Sequence, residues 1–186
     1  PGNAAKARDA WAQARAAGAQ LLALPEMFIT GYQTQDLVLK PAFLRDCRAA
    51  IEQLAADCAD GPTIGIGGPW TEGEKLHNAW LILQGGQVVA RVYKHELPHK
   101  QLFDELRLFD PGPISGPYVV SGVRIGSPIC EDAWWKEPET SYHIDPRPFP
   151  DPVEELAALG VQPNLRCLLY GAPGVGKTML ARYIGA

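Results

Sequence analysis

The sequence has no long apolar run, no basic excess and no disulfide-like cysteine pattern, and each absence excludes a class of protein. No apolar stretch approaches the roughly 20 residues of a membrane-spanning helix, and the N-terminus lacks the apolar core of a signal peptide. The formal net charge is −4, which gives no basic face for nucleic acid or for an anionic membrane. We therefore expect a protein that binds neither nucleic acid nor membranes.

Cysteine and histidine are also scarce. The four cysteines are widely spaced and contain no CxxC pair, which is typical of a reduced, cytoplasmic protein. The four histidines have no metal-ligand spacing, so we assign no metal to them. Hydrophobic residues make up 46% of the 186 residues and charged residues 20%, which indicates a globular protein.

The order of the predicted elements indicates an α/β fold. Two helical patterns, over residues 3–17 and 41–59, alternate with short apolar runs that are typical of strands. These predicted strands are QLLALPE, TIGIGGPW, HNAWLILQ, QVVARVYK, YVVSG and VRIGSPI. Gly85 and Gly86 join the third and fourth strands as a hairpin, and HELPHKQLFDELRLFDPGP is predicted to be a loop. We expect helices laid on a sheet.

The composition changes after Trp135. The segment KEPETSYHIDPRPFPDP is dense in proline and charge, as linkers are. We predict a first domain over residues 1–136, a linker over 137–150 and a second unit over 151–186. The chain begins at Pro1 and stops at Ala186 inside a helical pattern, so we expect both ends to be truncated.

Cys130 poses a problem of charge, because two acids follow it directly in the segment SPICEDAWW. Nearby carboxylates disfavour a thiolate, so a nucleophilic Cys130 needs a cation and a base from elsewhere in the chain. Glu26 follows the strand LLALP, and Lys94 ends the strand VVARVY. If these strands are neighbours, an acid, an amine and a thiol meet at one edge of the sheet. That set is sufficient for amide hydrolysis, with Glu26 as the base and Lys94 stabilising the oxyanion.

Four segments resemble the marker segments of the nitrilase (carbon–nitrogen hydrolase) superfamily: LPEMFITGY, YKHELP, FDELRLFDPG and PICED. With DLVLKPAFL, they are most similar to the glutaminase domain of glutamine-dependent NAD synthetase. The resemblance implies a Glu26, Lys94 and Cys130 triad, with Glu105 as a second glutamate that helps to position Lys94 and the substrate amide. It implies glutamine as the substrate, with Glu131 and Lys100 at the substrate. Lys100 departs from the family, which usually has an aromatic residue there.

The resemblance also implies a four-layer αββα sandwich and a tendency to form homo-oligomers. In the family the sheet continues well past the cysteine, whereas this chain turns into the proline-rich segment. We therefore expect a truncated half of a nitrilase-like αββα sandwich, followed by an incomplete P-loop unit of strand, loop and helix. The amidase part is expected to need no cofactor.

The motif GAPGVGKT fits GxxxxGK[ST], and it lies between the apolar run RCLLY and the helical pattern MLARYIG. It resembles the start of an AAA-type ATPase domain. Lys177 is predicted to neutralise phosphate charge, and Thr178 to ligate magnesium in a bound ATP complex. The predicted nucleotide-binding residues are Gly171, Pro173, Gly174, Val175, Gly176, Lys177 and Thr178.

Three functions stay open on the sequence. The first is amide hydrolysis, with glutamine giving glutamate and ammonia as in NAD biosynthesis. The second is an AAA-type ATP-binding module that carries the N-terminal part as a passenger. The third is an inactive chimeric remnant in which the motifs persist without complete folds.

Overall fold

The computed structural model describes residues 2–32, 34–99, 103–133 and 167–169. Two long helices open the chain: α1 (Gly2–Ala16) and α2 (Pro41–Asp57). Small residues at a helical spacing form the buried side of α1, and the chain leaves this helix through Gly18, whose φ is 68°. Pro41 begins α2 because its fixed φ suits the first helical turn.

Among the residues that the structure describes, seven strands form two sheets. The strands are β1 (Leu21–Ala23), β2 (Thr63–Glu72), β3 (Lys75–Gln84), β4 (Gln87–Tyr93), β5 (Tyr118–Val120), β6 (Val123–Ile125) and β7 (Cys167–Leu169). The larger sheet has the order β4-β3-β2-β1-β7, in which β1 pairs parallel with both neighbours and the other pairs are antiparallel. The antiparallel hairpin β5-β6 forms the smaller sheet.

The larger sheet is covered on both faces. On one face α1 and α2 pack over alternate residues of β1, β2 and β3, such as Leu22, Ile64 and Leu81. On the other face β5, β6 and Ile129 pack against the opposite row, which includes Ile82. The order of layers is therefore helices, larger sheet, smaller sheet, as in three layers of the αββα sandwich. The expected nitrilase-like α/β fold is confirmed.

The structure adds elements that the sequence pattern did not predict. A 3₁₀ helix spans Gln35–Leu39, and a short helix, α3 (Glu105–Leu108), lies in the segment that was predicted to be a loop. The hairpin at Gly85 and Gly86 is confirmed, with both residues at positive φ. The strand predicted at RCLLY is present as β7, but its pairing with β1 was not predicted.

Part of the prediction lies outside the described residues. This applies to Lys100, the linker 137–150 and the phosphate loop 171–178. The domain boundaries stay a prediction. Within the described part of the chain, no helix is long and apolar enough to cross a membrane.

Candidate active site

Glu26 lies just beyond the end of β1, where Gly67 of β2 holds the backbone. The amide of Gly67 donates to the Pro25 carbonyl over 3.2 Å, and the amide of Ile29 donates to the Gly67 carbonyl over 3.1 Å. A Cβ added at Gly67 would lie 2.6 Å from the Cα and the carbonyl carbon of Glu26. The missing side chain of Gly67 therefore lets β2 support the Glu26 backbone directly.

Lys94 follows the last residue of β4 and is fully buried. Its backbone amide donates to the Asn78 carbonyl of β3 over 2.9 Å, and its carbonyl accepts from the Gly112 amide over 2.9 Å. Val92 of the same strand belongs to the core between the two sheets. Because side chains alternate along a strand, Lys94 points to the same side of the larger sheet as Val92.

The Lys94 ammonium bridges two carboxylates. Its Nζ lies 2.8 Å from Oε1 of Glu26, and 3.0 Å and 2.9 Å from the two oxygens of Glu105. Glu105 reaches this position from the first residue of α3 and is itself buried. The structure thus brings together three of the four predicted catalytic side chains, from positions 26, 94 and 105.

Two further polar side chains complete this cluster, and neither was predicted from the sequence. The Nδ2 of Asn78 donates to Oε1 of Glu26 over 2.7 Å and contacts Oε2 of Glu105 at 3.4 Å. The Tyr32 hydroxyl donates to Oε1 of Glu105 over 2.7 Å. Asn78 could have been noticed as the polar residue in the row that continues through Trp80 and Ile82, because an isolated polar side chain in an apolar row requires a buried partner.

Burial and charge act in opposite directions on the ion pair. Burial raises the pKa of Glu26, and the attraction and hydrogen bond of Lys94 oppose that rise without cancelling it. For Lys94, burial disfavours the ammonium, but the attraction of Glu26 and Glu105 outweighs it and raises the pKa. Lys94 therefore stays charged, while Glu26 is a stronger base than an ordinary glutamate.

Cys130 begins a 3₁₀ turn, Cys130–Ala133, with its own φ at 49°. This left-handed conformation is unfavourable for a residue with a side chain and is concentrated at functional sites. Partial desolvation, followed by the charge of Glu26, raises the thiol pKa to about 11, whereas the Lys94 charge and the backbone N–H of Glu131 lower it. The free thiol is thus neutral near pH 7 and needs a base to react.

The acid two residues after Cys130 has a structural use. The Asp132 carboxylate accepts the backbone N–H groups of His95, Glu96 and Ile129, at 3.1, 2.7 and 3.2 Å. Two of these donors, His95 and Glu96, directly follow Lys94 in the chain. Asp132 therefore links the Cys130 turn to the backbone next to Lys94. Asp132, which was expected to disfavour a thiolate, therefore fixes the Cys130 turn against the Lys94 segment through hydrogen bonds. Glu131, predicted at the substrate, lies partly exposed in the same turn.

Comparisons with known proteins identify relatives of this chain. The model of the family Carbon-nitrogen hydrolase matches residues 1–141. A glutamine-dependent NAD(+) synthetase of Rhodobacter capsulatus is 54% identical over 160 residues, which are 86% of this chain and 26% of that protein. One from Thermotoga maritima is 32% identical over 184 residues, or 97% of this chain and 29% of that protein. The chain therefore spans under a third of the length of these relatives.

Two solved structures show the same fold. The glutamine-dependent NAD+ synthetase of Acinetobacter baumannii, in complex with ADP, has a TM-score of 0.68 at 26% identity, covering 92% of this chain and 29% of that one. A mutant of an amidase from Nesterenkonia sp. AN1, in complex with butyramide, has a TM-score of 0.53 at 28% identity. That match covers 64% of this chain and 45% of the amidase.

Proposed function

Because the chain belongs to the carbon–nitrogen hydrolase family, we propose that it hydrolyses a primary amide through Cys130. The observation that carries this proposal is the buried Lys94 ammonium, which is held between Glu26 and Glu105 and whose positive charge lowers the pKa of the exposed Cys130 thiol. A buried cation beside a basic carboxylate and a neutral thiol can generate a nucleophile and stabilise an oxyanion in one place.

The proposed reaction has two halves. In the first, Glu26 takes the thiol proton while the Cys130 sulfur attacks the amide carbon and forms a tetrahedral adduct. Lys94 and the backbone N–H of Glu131 stabilise the negative oxygen. Glu26 then gives its proton to the departing nitrogen, which leaves as ammonia. A thioester remains on Cys130. In the second half, Glu26 takes a proton from water and the resulting hydroxide attacks the thioester carbon. The carbon–sulfur bond then breaks, the carboxylic acid is released, and Glu26 returns its proton to the Cys130 sulfur.

Glutamine is the substrate that we propose for this reaction. The support is the recurrence of glutamine-dependent NAD(+) synthetase among the relatives, at 54% identity in the Rhodobacter capsulatus protein. We propose that the released ammonia is used in a later step of NAD biosynthesis. That step would need the parts of the relatives that lie outside the 26% of their length matched by this chain. The formation of a homo-oligomer stays a prediction, and analytical ultracentrifugation tests it.

Ammonia release tests the amidase proposal. The full chain is incubated with glutamine, asparagine and butyramide, and ammonia is measured for the parent, Cys130→Ala and Glu26→Gln. Cys58→Ala is the matched control, since Cys58 is buried in the core on the helix side of the sheet. We expect release by the parent and the control only. Release that survives in Cys130→Ala, or a parent that is inactive on all three amides, would refute the proposal.

We also propose that residues 171–178 bind ATP with magnesium, as the motif predicts. The supporting observation is β7, which ends two residues before the motif and lies parallel to its neighbour β1. Phosphate loops follow strands of parallel sheets, with the lysine at the phosphates and the hydroxyl at magnesium. Isothermal titration of the full chain with magnesium and ATP should give a signal that Lys177→Ala abolishes; an absent signal in the parent contradicts the proposal.

A further inference from the structure

The two carboxylate oxygens of Glu26 have different surroundings. Oε1 accepts two hydrogen bonds, from the Lys94 ammonium at 2.8 Å and from the Asn78 amide at 2.7 Å. Within the described part of the chain, Oε2 has no hydrogen-bond partner, and the Glu26 side chain keeps 16% of its surface exposed. One oxygen is thus anchored, and the other is available.

Asn78 contacts Glu26, Glu105 and Lys94. It lies in β3 with 1% of its surface exposed, and its carbonyl accepts the backbone amide of Lys94. Its side-chain amide donates to Glu26 and lies 3.4 Å from Glu105. Because the amide is neutral, it supplies hydrogen-bond donors to two carboxylates without adding charge to them.

Lys94 alone does not fix the rotation of the Glu26 carboxylate. An ammonium has three rotating donors, and in this site it also contacts both oxygens of Glu105. A second donor on the same oxygen, from a different strand, removes that freedom. We propose that Asn78 is a positioning residue that pins Oε1 of Glu26 and thereby leaves Oε2 as the oxygen that receives the Cys130 proton. This inference rests on the proposed amidase function.

The same contact has a consequence for the basicity of Glu26. A hydrogen bond to a carboxylate favours the charged form, so the Asn78 amide lowers the pKa of Glu26 against the upward effect of burial. Loss of this donor should raise that pKa further. The titratable groups that also face Glu26 are Lys94, Glu105, Tyr32 and Cys130.

Titration of the carboxylate by NMR tests the inference without using activity. The full chain is labelled with ¹³C at the glutamate carboxyl carbons, and the Glu26 signal is identified by its loss in Glu26→Gln. In Asn78→Leu, which is nearly isosteric, the midpoint of Glu26 should rise by about one pH unit or more. In Asn78→Asp it should also rise, because a third carboxyl group joins the cluster. If Asn78→Leu does not fold, Asn78→Ser replaces it.

The matched control is Leu81→Val, which trims a buried side chain of the same strand on the helix side of the sheet, away from the carboxylates. The titration midpoint of Glu26 in this variant should equal that in the parent. An unchanged midpoint in both Asn78 variants overturns the inference, and so does an equal shift in the control, since that shift would follow from lost packing alone.

Kinetics separate this inference from the proposed function. In the Asn78 variants, kcat for amide hydrolysis should fall about tenfold or more with little change in KM, and the acid limb of the pH profile should move upward. Equal losses at every pH, with the acid limb in place, would overturn the positioning role. A parent that releases no ammonia refutes the amidase proposal, while the NMR midpoint still decides whether Asn78 sets the protonation of Glu26.

Discussion

A single methyl group at Gly67 should separate Glu26 from its partners. Gly67 lies in β2, opposite the backbone of Glu26, and the two segments are joined by hydrogen bonds on either side of Glu26. In Gly67→Ala the new Cβ would lie 2.6 Å from both Cα and the carbonyl carbon of Glu26. Since the contact is with backbone atoms, no side-chain rotation can relieve it, and the strand or the Glu26 segment must move.

The size of the movement follows from these distances. Non-bonded carbons need about 3.5 Å or more, so the two segments must separate by about 1 Å. The hydrogen bond from Lys94 to Oε1 of Glu26 measures 2.8 Å and would be lost by a shift of that size. A displacement of about 1 Å at a catalytic group can cost about 100-fold in rate. The overpacking itself should cost about 1–3 kcal/mol of stability.

The matched control is Gly65→Ala in the same strand. A Cβ at Gly65 meets the Trp80 ring rather than the Glu26 backbone, so this variant is also overpacked but leaves the site in place. Both variants are measured by urea unfolding and by ammonia release from glutamine per folded molecule. We expect comparable losses of stability, with a large loss of kcat in Gly67→Ala only. Equal kcat in the two variants would show that the position of Glu26 does not limit the reaction.

Three further predictions concern the charged groups and the thiol. Lys94→Met leaves the carboxylates of Glu26 and Glu105 without their cation and should lower the free energy of unfolding by about 3 kcal/mol at pH 7. The loss should be smaller at acid pH, because burial raises the pKa of Glu26 and its protonation removes a charge; a loss independent of pH contradicts this. Asp132→Ala removes the acceptor of three backbone N–H groups and should lower the free energy of unfolding by about 2 kcal/mol. Urea unfolding measures this, and an unchanged unfolding midpoint argues against a stabilising role of Asp132. Alkylation of Cys130 by iodoacetamide, followed by peptide mass spectrometry, should accelerate up to about pH 11, because the thiol pKa is raised to about 11; a plateau near pH 8 refutes that.

The local parts of the fold could be predicted from the sequence. The alanine spacing of α1, the proline that begins α2 and the glycine pair of the β3-β4 hairpin are each determined by neighbouring residues. The pairing of β7 with β1 could not be predicted, since it joins residues 21 and 167, and an apolar run carries no information about its partner. In the same way α3 depends on burial of Glu105, which pairs with Lys94 just past the end of β4.

The sequence alone could predict only those site residues whose type and position in the chain make them stand out. Glu26 and Lys94 were found because each lies at the end of a strand, where a polar side chain is conspicuous. Asn78 was missed because an asparagine is conspicuous only by its place in the apolar row with Trp80 and Ile82, and that row is defined by the strand and not by the residue type. Asp132 was judged by its charge, whereas its carboxylate is occupied by backbone N–H groups that no sequence pattern reveals.

The two shifted pKa values constrain when the nucleophile forms. The thiol pKa of Cys130 is raised to about 11, while that of Glu26 is raised by burial but opposed by Lys94. Transfer of the proton from the thiol to Glu26 is therefore unfavourable in the free protein, and no thiolate accumulates to react with other electrophiles. In the proposed reaction the transfer would become favourable only when the sulfur bonds to the carbonyl carbon, because the negative charge would then move to an oxygen that Lys94 can stabilise. The proposed mechanism would thus couple reactivity to the presence of an amide, and it predicts that Lys94→Met abolishes hydrolysis even in molecules that remain folded.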